Sequence, residues 1–130
     1  MTLAIQAPEA VGIPYIDQAH NMIADSVNSL CEDLACRKPL NDILEKVDKL
    51  IDDIQPYINE RNNCQNHNAC KNGIVAQDII LRLVDLRSTF ANFGDAMPPS
   101  VAILETQQWA QLHIFNEGAK CSICPKRCAN

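Results

Sequence analysis

The residues best equipped for chemistry lie at the end of the chain, in Cys121-Ser122-Ile123-Cys124-Pro125-Lys126-Arg127-Cys128. Cys-x-x-Cys brings two thiolates within reach of one metal ion through a tight local turn, and the longer step to Cys128 extends the set to three. Pro125 directly after a cysteine also occurs in iron–sulfur motifs, while Lys126 and Arg127 would offset thiolate charge and lower the thiol pKa values. A second run, Cys64-x-x-His67-x-x-Cys70, offers two more thiols and an imidazole. All-cysteine ligation, with Cys64 or Cys70 as fourth ligand, favours an iron–sulfur cluster; His67 beside three thiolates favours zinc. The plainer alternative for the tail is a frayed end with oxidisable cysteines.

These segments must be positioned by helices. Pro14 suits the approach to a helix, and Ile16, His20, Ile23, Val27, Leu30 and Leu34 then recur at helical spacing, predicting a first helix over Tyr15 to Ala35. Asp17, Asn21, Asp25, Asn28 and Glu32 fall on or near its wet side, and Cys31 and Cys36 read as packing residues or incidental thiols. His20 sits on the apolar stripe, where an imidazole needs a hydrogen-bond partner or a metal, because leaving its nitrogens unsatisfied costs about 1–3 kcal/mol. Lys38 to Asn41 is the turn, with Asn41 or Asp42 as cap of a second helix whose buried stripe is Ile43, Val47, Leu50, Ile54 and Ile58. Asp48, Lys49, Asp52 and Asp53 face water. Pro56 should kink or loosen the end of that helix.

The polar insert Arg61 to Gly73 reads as a helix end followed by a loop. A third helix is expected from about Ile74 to Phe93, burying Val75, Ile79, Leu83, Leu86 and Phe90. After the turn Gly94 to Ser100, with Ser100 as N-cap, a fourth helix buries Ile103, Trp109, Ala110, His113 and Glu117 before Gly118 ends it.

Two stretches resemble the bacterial hemerythrin family. Val11-Gly12-Ile13-Pro14-Tyr15-Ile16-Asp17-Gln18-Ala19-His20 is similar to the family's opening, in which a Val-Gly-Ile segment precedes a helix carrying Ile-Asp-x-x-His. Trp109-Ala110-Gln111-Leu112-His113-Ile114 is similar to its last-helix motif, Trp-Leu-x-x-His-Ile. The resemblance spans about Val11 to Gly118 and is weak in the middle. It implies an up-down-up-down four-helix bundle and a diiron oxygen site held by five histidines and two carboxylates. This chain has three histidines, so that site is incomplete. The family's His-Phe-x-x-Glu frame fits Pro56-Tyr57-Ile58-Asn59-Glu60, with proline where the histidine would be, and the His-x-x-x-His pair of the third helix falls near Val75 and Ile79. His20, Glu60 and His113 are what the resemblance leaves as ligands, enough for a single iron(II) or zinc with a further group; Glu60 reads equally as a solvated carboxylate.

Composition sets the bounds. A chain of 130 residues, 47% hydrophobic, suits one domain with its own core, read as a bundle over residues 1–118 and a cysteine-rich tail over 119–130 packing on it. A net charge of −5 argues against general nucleic-acid binding, which needs a basic surface. Nothing approaches the run of about eighteen apolar residues that spans a membrane, and the N-terminus lacks the basic start of a secretion signal. A cytoplasmic protein is expected, and there seven cysteines serve better as metal or redox ligands than as disulfides.

An up-down-up-down course brings the start of the first helix, the end of the second, the start of the third and the end of the fourth to one pole. The insert and the tail would meet there, while Cys31 and Cys36 belong to the other end. The expected function is a non-enzymatic metal-binding redox or metal-sensing module, since no nucleophile, base and orienting group stand together. Metal loss or oxidation would release the tail and alter the surface offered to a protein partner. Two alternatives stand beside it: iron and oxygen binding by His20, Glu60 and His113, and a metal-free structural adaptor.

Overall fold

A computed structural model of the protein describes residues 4–10, 12, 14–62 and 76–112. It is all-helical, with no strand among the described residues. Four α-helices follow one another: α1 (Pro14–Ala35), α2 (Leu40–Asn62), α3 (Ala76–Phe93) and α4 (Pro99–Ala110), with a short 3₁₀ turn at Gly94–Ala96 before the last. Among the described residues, no helix is long and apolar enough to cross a membrane.

The helices pack as sequence neighbours, α1 on α2 and α2 on α3, with α4 closing against α1 and, less extensively, against α3. Their periodic stripes meet in one core. Ile16, His20, Ile23, Val27 and Leu30 of α1 are buried, as are Ile43, Val47, Leu50, Ile54 and Ile58 of α2. Leu83, Leu86 and Phe90 come from α3, and Ala102, Ile103, Thr106, Trp109 and Ala110 from α4. Burying each large aliphatic side chain contributes about 1.5–3 kcal/mol, far more than surface pairs do. This is why the spacing of isoleucines and leucines fixes the helices.

Specific contacts tie particular helix ends together. Near the end of α1, Asp33 pairs with Lys46 in the second turn of α2 at 2.7 Å, and Lys46 also reaches Ser29. Cys31 lies 4.0 Å from the carbonyl oxygen of Ile103, early in α4. Arg87 of α3 holds both carboxylate oxygens of Asp48 of α2, and at the start of α1 Tyr15 meets Tyr57, near the end of α2.

The helix ends differ from the expected caps. Neither Asn41 nor Asp42 caps α2: the Pro39 carbonyl accepts from the N–H groups of Asp42 and Ile43, so both candidates lie inside the first turn. Ser100 likewise lies within α4, whose N-cap is Pro98, with Val101 and Ala102 donating to its carbonyl. At α4 proline sets the start. A residue before proline is held out of the helical region, and Pro98, followed by Pro99, sits at φ −60° and ψ 136° with helix beginning immediately after. At the end of α1, Lys38 donates to the Asp33 carbonyl and Arg37 to that of Leu34, the paired bonds of a Schellman turn. Its left-handed position, usually glycine, is Arg37 at φ 54°.

α2 runs through Pro56 to Asn62. Pro56 is exposed, and the carbonyl that loses its donor belongs to Asp52, itself an exposed residue. Asn28 is not simply on the wet side. Its side chain clamps the backbone of Ile5, and the Ile5 side chain enters the core. Asp53 is half-buried beside Lys49 rather than facing water alone.

Candidate functional site

His20 is the one histidine among the described residues, and α1 carries it into the interior one turn after Ile16 and three residues before Ile23. It is 1% exposed. The same end of the molecule holds Tyr57, which is buried, and Tyr15, which is half-buried. Their ring centroids lie 6.0 Å apart with planes inclined at 44°, within the tilted geometry that aromatic pairs favour. Over these rings runs a shallow groove of about 350 Å³, bordered by Gln18, Ala19, Met22, Asp53 and Pro56 as well as the two tyrosines.

In this turn of α2 the interior position is Tyr57, whereas Pro56, the position matched to the family's histidine, lies on the outside. A side chain at 56 is therefore poorly placed to share an interior site with His20. Ile54 and Ile58 of α2 and Leu83 and Leu86 of α3 belong to the same buried core. In α4, Trp109 and Ala110 are buried, and the backbone stays helical at Gln111, whose N–H reaches the carbonyls of both Gln107 and Gln108. The described residues end at Leu112, one residue before His113.

Glu60 belongs to α2 by its backbone, and its side chain lies outside the described residues. Cys64, His67, Cys70, His113, Cys121, Cys124 and Cys128 also lie outside them, as does Glu117. Among the described residues, no group of three or more histidine, cysteine, aspartate or glutamate side chains is arranged to hold a metal ion.

The two described cysteines are in different states. Cys31 is buried and Cys36 is exposed, and neither is in a disulfide. Burial pushes the Cys31 thiol up to about 11, because a thiolate would lose its hydration there. It is a protonated packing residue at neutral pH, in keeping with its place at the end of α1 away from Tyr15 and Tyr57. The sequence reading passed over the tie between Ile5 and Asn28 and the cationic pair Arg37-Lys38. An isolated isoleucine carries no period, and an Arg-Lys-Pro turn looks like any solvated connection.

Searches against protein-family models, curated proteins and solved structures found no match to this chain.

Proposed function

We propose that this chain is a divergent hemerythrin-like bundle of up-down-up-down course that serves as a metal-binding redox or metal-sensing module rather than as an enzyme. Its ligands are drawn from Cys64, His67 and Cys70 of the segment between α2 and α3 and from Cys121, Cys124 and Cys128 of the tail. The observation that carries this reading is the pairing of opposite helix ends. Late α1 meets early α2 through Asp33 and Lys46 and early α4 through Cys31 and Ile103, while early α1 meets late α2 through Tyr15 and Tyr57. In an up-down-up-down course the end of α2 and the end of α4 share one pole, and both sulfur-bearing segments would start from there.

The donor chemistry fits a soft ion, with five thiols and one imidazole in the two segments. It does not fit an intact diiron centre. The chain has three histidines where five are needed. A bound zinc ion or iron–sulfur cluster would supply a cross-link between two otherwise separate segments and, for the cluster, a redox response. The thiols hold the tail to the bundle, and their oxidation or the loss of the metal frees it to change the surface met by a protein partner.

Metal and acid-labile sulfide content after anaerobic purification tests this reading. Iron with matching sulfide, or zinc without it, is expected, with loss of metal in Cys124→Ser and in Cys64→Ser. Metal-free protein with all seven thiols titratable would overturn it. Hydrogen exchange of residues 120–130 tests the release step, since equal protection with and without metal contradicts it. The buried setting of His20 favours a second reading, iron binding by His20, Glu60 and His113. Its signature is an oxygen-dependent visible band lost in His20→Ala and His113→Ala yet retained when the tail is removed.

A further inference from the structure

At the end of the molecule opposite Tyr15 and Tyr57, the close of α1, the start of α2, the close of α3 and the start of α4 leave a cleft of about 380 Å³. Apolar side chains form part of its floor, Leu34, Leu40 and Met97 half-buried and Ile43, Phe90 and Ala102 buried, while about half of the surface it offers is polar. Gly94 opens one wall. At φ 50° it is in the left-handed region, and a Cβ there would stand 3.7 Å from Leu40 Cδ2, directed at the cleft's lining.

The charged residues of the cleft are both cations, Arg37 and Lys38. This runs against the protein as a whole, which carries a net charge of −5. Among the described residues neither of them forms an ion pair, whereas Lys46, Lys49 and Arg87 each do. Arg37 also occupies the left-handed position of the α1 turn, where a side chain costs roughly 1–2 kcal/mol relative to the right-handed region. Lys38 in addition borders a shallower groove that contains Asp33 and Asp42, so Arg37 is the less compromised of the two.

We propose that this cleft binds a free medium-chain monocarboxylate, its alkyl chain on the apolar part of the floor and its carboxylate against Arg37 and Lys38. The volume is at the lower end of the range of about 300–1,000 Å³ typical of small-ligand sites, which suits a single short chain rather than a diacyl lipid. A planar guanidinium matches a carboxylate with two parallel hydrogen bonds, and the neighbouring ammonium adds a point charge. Apolar side chains beside paired cations are complementary to one molecule with those two halves. The proposal is independent of the metal site, since the two share no residue.

The test is titration of the full-length protein with decanoate below its micellar concentration, followed by NMR shifts and calorimetry, with decylammonium as the reversed-charge probe. Saturable shifts at Leu34, Ile43, Phe90 and Met97 are expected, with decylammonium weaker by about tenfold or more. The double substitution Arg37→Gln with Lys38→Gln should weaken decanoate by about fivefold or more, while Lys49→Gln, which removes a charge elsewhere, leaves it unchanged. Equal affinity for the two probes, an unaffected double variant, shifts confined to Leu81, Val84 and Leu104, or no saturable binding would each overturn the proposal. The substituted positions are exposed, and circular dichroism of the variant checks that the fold is retained.

Discussion

The carboxamide of Asn28 grips the backbone of Ile5 from both sides: its Oδ1 accepts from the Ile5 N–H at 2.9 Å, and its Nδ2 donates to the Ile5 carbonyl at 2.8 Å. A helix side chain thus offers an extended segment the donor and acceptor that a neighbouring strand would offer. Asn28→Ala removes both partners from a part-buried backbone and is expected to lower stability by about 1–3 kcal/mol. Urea denaturation measures the loss, and hydrogen exchange at Ile5 should rise by more than exchange in the middle of α1.

Arg37 supplies a second prediction. Glycine at the left-handed position of the α1 turn removes the steric cost of the side chain, partly offset by the greater freedom of glycine in the unfolded chain. Arg37→Gly should raise stability by roughly 0.5–1 kcal/mol, seen as a higher midpoint in urea, while weakening decanoate binding. A variant that gains stability at the expense of affinity would separate the residue's two roles.

Pro56 supplies a third. It is exposed in the interior of a helix that continues past it, so Pro56→Ala restores a backbone donor and relieves a clash with the preceding turn. A gain of about 1–3 kcal/mol is expected, with the strongest rise in exchange protection between Ile54 and Ile58.

Cys31 gives a pH dependence. Its folded pKa, about 11, is raised above the ordinary value of 9.0 by burial, so the folded state holds this proton more tightly than the unfolded one. The stability associated with it is fully present below about pH 9 and is lost as pH rises from 9 to 11. Cys31→Ala should flatten that part of the curve while lowering stability at neutral pH through lost packing. In the native protein at pH 8, the exposed Cys36 should react with a thiol reagent while Cys31 stays protected.

Much of the fold was legible because the interior is written in one period. The stripe from Ile16 to Leu30 and that from Ile43 to Ile58 lie where 3.6-residue spacing puts them. Helix starts were less legible. Side-chain oxygens at Asn41, Asp42 and Ser100 suggested caps, but the carbonyls of Pro39 and Pro98 accept the first helical bonds instead. Of the candidate ligands, His20 is interior as its place on the α1 stripe implies. The sulfur-rich segments carry no such period. Their placement depends on connectivity and ligation, which spacing alone does not encode. The cleft was invisible for a related reason, since its walls come from the ends of all four helices and no single stretch displays it.

α4 carries apolar residues on its outer side as well as its inner one. Ala102, Ile103, Thr106, Trp109 and Ala110 are buried, yet Val101 and Leu104 are 43% and 55% exposed. Glu105 and Gln108 share that outer side, so turning the helix half a turn about its axis would bury a carboxylate and an amide. The orientation of this quarter of the bundle is thus guarded by two polar side chains that touch water, and replacing both with leucine should give a helix with no preferred face.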